Sequence, residues 1–213
     1  MIHIQSFVCN PYQENTYLLY DDDGACAIVD PGMYGEVEQQ RVLSFIEENH
    51  LKVELLLNTH CHIDHVLGNH FIHQQFGIFP LFTEKELPLL VEVQHYAPQM
   101  GIHYDVSPIG EGFLPEKGTV QVGKETLQLI FAPGHSPGHL CFYHEKQGFL
   151  IGGDVLFQNS IGRTDLPGGD HQQLLDSIRN NIYTLPDDTI VYPGHGPETS
   201  VGVEKRTNPF VRM

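Results

Sequence analysis

The sequence predicts an α+β fold, a four-layer αββα sandwich, and three observations carry that prediction. Strand patterns come in two separate runs, one in each half of the chain. Each run gives way to helical patterns with one apolar face. The regular strand–helix alternation and the glycine fingerprint of a doubly wound nucleotide-binding sheet are both missing.

The first run opens with strands over 2–8, 15–20 and 25–30, and Asp21-Asp22-Asp23-Gly24 makes the hairpin turn between the last two. Pro31-Gly32 interrupts, and Val37, Arg41, Val42, Phe45 and Ile46 then recur at helical spacing up to His50. A buried strand is expected over 52–59, centred on Leu55-Leu56-Leu57. Next come a helix over 66–76 starting near Asp64, whose carboxylate suits a first turn, a short strand over 78–82, and a helix over 83–100 broken near Pro88. Residues 101–118 show no pattern; Tyr104, Phe113 and Leu114 there are read either as a lid or as core cover.

The second run has strands over 120–122, 125–131, 140–144 and 149–151, separated by glycine-containing turns and mostly antiparallel. A helix over 170–183 puts Leu174, Leu175 and Ile178 on one face, and a last strand over 189–192 runs into Pro193-Gly194-His195-Gly196. With no linker or tandem repeat, residues 1–213 are expected to form a single domain.

A formal charge of -16 disfavours nonspecific binding to nucleic acid or anionic membranes, since both require clustered Lys and Arg. Four dispersed cysteines without a CxxC pair point to a reduced, cytoplasmic setting. The first ten residues have no basic stretch and no apolar run of signal or membrane length, so a soluble, unprocessed protein is expected.

The chemistry concentrates in His60-Cys61-His62-Ile63-Asp64-His65, at the end of the strand over 52–59. Imidazole and carboxylate donors crowded on one loop suit zinc, iron or manganese and have little packing value. Cys61, between two donors on an extended loop, is expected to point away from them. His135, Asp154 and His195 follow the same rule, each just past a strand beside Gly or Pro. If those strand ends share one rim, seven donors exceed the need of one tetrahedral ion. Two ions roughly 3.5–4 Å apart account for them. His60, His62 and His135 would hold the first, Asp64, His65 and His195 the second, and Asp154 would bridge.

Taken together, the HxHxDH loop and the later Gly-His, Gly-Asp and Gly-His segments resemble the metallo-β-lactamase superfamily. Gly152-Gly153-Asp154-Val155-Leu156-Phe157 and Ser160-Ile161-Gly162-Arg163-Thr164-Asp165 are similar to its glyoxalase II-like (hydroxyacylglutathione hydrolase-like) group, most closely the short YcbL-like members. The resemblance implies an αββα fold and hydrolysis of a small-molecule thioester such as an S-2-hydroxyacyl glutathione. Two divalent ions, zinc first and iron or manganese otherwise, would supply a bridging hydroxide, with Asp64 also orienting it. Only residues 196–213 follow His195, too few for the helical domain that contacts glutathione in full-length glyoxalase II, so the thiol carrier stays open.

Arg163 and Thr164 are candidate substrate contacts, although pairing of Arg163 with Asp165 or Asp170 is the favoured reading. His139 is expected to hydrogen-bond near the site and not to ligate. The main rival function is a persulfide dioxygenase with one iron on His60, His135 and Asp154. Lactone hydrolysis, a nuclease and a non-catalytic metal-binding module rank lower.

Overall fold

Strand β2 (Glu14–Asp21) has no exposed residue, because both of its faces are covered and β1 (Ile2–Cys9) and β3 (Ala25–Val29) flank it on either side. The computed structural model describes residues 1–212, which group into two compact units. The first comprises residues 1–114 and 121–125, the second residues 115–120 and those from 126 onward.

In the first unit a five-stranded sheet runs in the order β1-β2-β3-β4-β5, with β4 at Lys52–Leu57 and β5 at Pro80–Leu81. The first three strands are antiparallel; β3/β4 and β4/β5 are parallel. Helices α1 (Glu36–Glu48) and α3 (Asn69–Phe76) cover one face, where Val42, Ile46 and Ile72 pack with Leu18, Ile28 and Leu56. Each such side chain contributes roughly 1.5–3 kcal/mol by leaving water. A second core joins Cys61, Ile63 and Val66 to Phe82, Leu90 and Val93 of α4 (Leu87–Tyr96) and the segment before it.

The second unit carries a six-stranded sheet ordered β13-β12-β9-β8-β7-β6. Its strands are β6 (Lys117–Val122), β7 (Glu125–Phe131), β8 (Leu140–His144), β9 (Phe149–Gly153), β12 (Ile190–Pro193) and β13 (Thr199–Ser200). The β9/β12 pair is parallel, whereas β7/β8, β8/β9 and β12/β13 are antiparallel. The core of this unit packs Leu174 of α5 (His171–Ser177), Ile178 and Ile182 of the π-helical turn that continues it, and Val201 of α6 (Val201–Thr207) against Cys141, Leu150 and Val191.

The expected elements recur with local departures. The helix foreseen over 66–76 is two pieces, α2 (Ile63–Val66) and α3, separated at Gly68. The Gly68 amide donates to the Pro31 carbonyl at 2.6 Å, and a Cβ there would meet that same oxygen at 2.7 Å. Pro88 sits in the first turn of α4, where a missing N–H costs nothing, so the break precedes it as a 3₁₀ turn over Glu84–Glu86. Within residues 101–118, Tyr104 packs on the Cys61 cluster and Phe113 lies edge-on to Phe82, so both cover core. The short hairpin β10 (Leu156–Phe157)/β11 (Ser160–Ile161) had no sequence signal. No helix among the described residues is long and apolar enough to cross a membrane.

Candidate metal centre

After β4 the chain leaves the sheet with its backbone groups unpaired by regular structure, and side chains from several elements take them up. Asp30 accepts from the Thr59 amide at 2.7 Å and Glu86 from the Cys61 amide at 2.8 Å. Asn10 donates to the Asp64 carbonyl at 2.9 Å and Asn58 to that of His65 at 3.1 Å. Four positions from Thr59 to His65 are thereby pinned.

This clamp brings three imidazoles together, one pair edge-on and the other tilted. The His60 ring centroid lies 4.7 Å from that of His62 and 4.1 Å from that of His65, and His65 Nε2 is 3.6 Å from Asp64 Oδ2. All three histidines are buried. Thr59 has one hydroxyl proton, which it gives to Asp30 Oδ2 at 2.6 Å; at 3.0 Å it therefore accepts from His60 Nδ1. Asp30 Oδ2 also accepts from His65 Nδ1 at 3.0 Å. Both rings carry their proton on Nδ1 and keep the Nε2 lone pair for a Lewis acid.

Asp30 was missed by the sequence analysis. Ligand atoms of Asp30, His60 and His65 lie within 4.8 Å of one another, yet the Asp30 oxygens are already engaged by three donors, which makes it an orienting group. Its backbone sits at φ 49°, a strained value for a residue other than glycine. A usable signal existed: Asp30 ends a strand beside Pro31-Gly32, as the predicted donors do. Cys61 points away from the imidazoles into the apolar cluster; burial first, then Glu86 and Asp30, push its thiol well above the ordinary range.

Next to this loop lies Glu14, fully buried, with burial holding its carboxyl well above the usual carboxylate range. Its Oε2 accepts from Thr16, and Oε1 has no hydrogen-bond partner. Tyr12 lies on the turn flanked by Asn10 (φ 51°) and Gln13 (φ 58°), where burial first and then the charge of Asp64 push its phenol up.

In the second unit, β7, β9 and β12 each end just before one donor. The Asp154 carboxylate lies between two imidazoles, with Oδ2 3.5 Å from His135 Nε2 and 3.5 Å from His195 Nε2. His135 Nδ1 donates to the Arg163 carbonyl at 2.8 Å, so the Nε2 that faces Asp154 carries the ring's lone pair. A Cβ on Gly162 would run into the Asp154 carbonyl oxygen and press on His135 Nδ1. The Gly194 amide donates to the Gly153 carbonyl at 2.8 Å and ties the end of β12 to that of β9.

Arg163 itself is exposed, and its guanidinium forks onto Asp165 at 2.7 and 2.8 Å. The pair holds the Asp165 carboxyl down to about 2. Pairing with Asp165 is thus the arrangement seen, while the backbone carbonyl of Arg163 serves His135. Thr164 is half-buried beside it, with its carbonyl against Gly169. His139 makes the hydrogen bond expected of it, accepting from the Asp154 amide at 3.0 Å.

The predicted donors therefore gather as His60, His62, Asp64 and His65 in one unit and as His135, Asp154 and His195 in the other. Buried neutral imidazoles with their outer nitrogens hydrogen-bonded, together with carboxylates, are the donor chemistry that zinc, iron and manganese take. The donor set fits a divalent ion.

Fold and donors together define a metal-binding α+β hydrolase class. The chain belongs to the metallo-beta-lactamase superfamily, whose sequence model matches residues 9–195. It is 37% identical to the hydroxyacylglutathione hydrolase GloC of Haemophilus influenzae, over 99% of this chain and 98% of that one. It is also 37% identical to the probable metallo-hydrolase YqgX of Bacillus subtilis, over 94% and 93%. Among solved structures, the B3 metallo-beta-lactamase BLEG-1 aligns with a TM-score of 0.89 at 36% identity, covering 98% of this chain and 99% of that one. The protein TTHA1623 in a di-iron-bound form aligns at 0.87 and 33%, covering 97% and 100%. The fold class expected from the sequence is the one these proteins share.

Proposed function

We propose that this chain is a hydrolase of small-molecule thioesters of the hydroxyacylglutathione type, acting as one domain over residues 1–213 with two divalent ions. His60, His62 and His135 would hold the first, Asp64, His65 and His195 the second, and Asp154 would serve both. The observation that carries this reading is the Asp154 carboxylate held 3.5 Å from each of two imidazole Nε2 atoms, which supports a shared role for it. The name of the Haemophilus influenzae relative supports the thioester class. Zinc is the ion we favour; the di-iron relative makes iron the alternative.

Ions bound there would lower the pKa of a coordinated water to near neutrality and draw charge from the substrate carbonyl. The protein's own groups do the positioning. Asp30 and Thr59 hold His65 and His60 in the ligating tautomer, and the Arg163 carbonyl does the same for His135. Asp64 presents a second carboxylate oxygen for orienting the attacking water. A thiolate leaves without protonation, so no dedicated acid is needed.

The test is thiol release from S-lactoylglutathione and from acyl thiols of other carriers by zinc- and iron-loaded protein, beside oxygen uptake with glutathione persulfide and hydrolysis of a lactone. Oxygen-independent thiol release with two ions per chain supports the proposal. Oxygen consumption with one iron per chain, or lactone hydrolysis alone, overturns it.

A further inference from the structure

We infer that His139 is a positioning residue that sets where the Asp154 carboxylate points, acting through the Asp154 backbone amide. The inference rests on the reading of Asp154 as a metal ligand. Asp154 follows Gly153, the last residue of β9, whose φ of 49° turns the chain away from its neighbours. The Asp154 amide thereby loses a ladder partner, and the fully buried His139 ring takes it up, Nε2 accepting at 3.0 Å.

A backbone N–H can only donate. The accepting Nε2 is therefore the unprotonated nitrogen, and the ring carries its proton on Nδ1. With Nε2 turned to the peptide, His139 is not a ligand through that atom.

The same residue also touches the strand that delivers His135. Its carbonyl accepts from the Ala132 amide at 2.9 Å, and its ring stands edge-on to that of His135 at 6.1 Å between centroids. One residue thus meets two donor-bearing loops, through its ring at Asp154 and through its backbone carbonyl at Ala132. The Gly194 amide donates to the Gly153 carbonyl of the same peptide, and the Gly162 amide to the Val155 carbonyl at 3.2 Å, so the turn that carries Asp154 is held from both strands beside it.

The experiment uses the full-length zinc-loaded protein and two substitutions. His139→Gln keeps an acceptor at similar reach, and His139→Leu keeps volume without one. His139→Leu is expected to bind zinc at least about tenfold more weakly, to alter the visible spectrum of the cobalt-substituted protein and to speed hydrogen exchange at the Asp154 amide. His139→Gln is expected to restore most of all three. Nitrogen NMR of labelled histidine in the unsubstituted protein is expected to show Nδ1 protonated and Nε2 bare at His139, a readout that survives even if His139→Leu does not fold. A protonated Nε2, or a folded His139→Leu variant with unchanged zinc affinity and cobalt spectrum, overturns the inference. Asp154→Ala separates the two ideas: if it still binds two ions tightly, the assignment of Asp154 fails whatever His139 does; if it loses them while His139→Leu does not, only the role of His139 fails.

Discussion

The Arg163 carbonyl accepts from His135 Nδ1 at 2.8 Å while the Arg163 guanidinium turns outward to Asp165, so the residue serves the site through its backbone and not its charge. Two substitutions next to each other should then behave oppositely. Arg163→Ala removes only an exposed fork and is expected to leave zinc stoichiometry and affinity unchanged. Gly162→Ala drives a methyl group into the Asp154 carbonyl and is expected to cost about 1–3 kcal/mol of stability and to weaken metal binding. Calorimetric titration of both variants with zinc checks this; a loss of affinity in Arg163→Ala would return the guanidinium to the site.

Asp30 makes a second case of orientation by an outer carboxylate. Asp30→Ala removes the acceptor for Thr59 and His65 together, which frees both His65 and, through Thr59, His60 to take the wrong tautomer. Metal affinity is expected to fall 10- to 100-fold, on the scale typical of such partners. Competition against a chromogenic chelator measures it. Unchanged affinity would mean that the imidazoles hold their pose without the carboxylate.

The parts of this arrangement legible in the sequence are those that follow chain geometry. His135, Asp154 and His195 each lie just past a strand beside Gly or Pro, and the strands themselves announce their ends by loss of apolar pattern. Asp30 obeyed the same rule and was passed over because it stands alone, without a second donor nearby in sequence. The Arg163 carbonyl, the Glu86 clamp on Cys61 and the split at Gly68 were beyond reach, since each depends on a backbone atom meeting a residue distant in the chain. Strands of two residues, such as β5, β10 and β11, are too short for any period to register.

Burial raises the thiols of Cys9 to about 11 and Cys26 to about 12, so both are neutral across the physiological range. A thiol reagent at pH ~8 should therefore label neither until the protein unfolds. The sign of the stability effect follows. The folded state holds these protons more tightly than the unfolded chain, so their contribution is fully present below the unfolded value of 9.0 and is lost as pH rises toward about 12. Denaturant melts of Cys26→Ala should show a shallower alkaline decline than the unsubstituted protein; an identical slope would rule out Cys26 as a source of it.

Metal removal tests how far the donor clusters support the fold. Each unit has its own apolar core, so chelation is expected to leave far-UV circular dichroism intact. Zinc bound only by the folded state stabilises it, by about 4 kcal/mol when free metal is a thousand times the dissociation constant. At roughly 2–4 °C per kcal/mol for a chain of this size, the apo protein should melt ~8–16 °C lower. The difference should shrink as pH falls below about 6, because a protonated imidazole cannot ligate, and adding zinc there should restore little. A melting temperature indifferent to zinc at pH ~8, or a zinc-dependent rise that persists undiminished at pH ~5, would show that these histidines do not hold the ion.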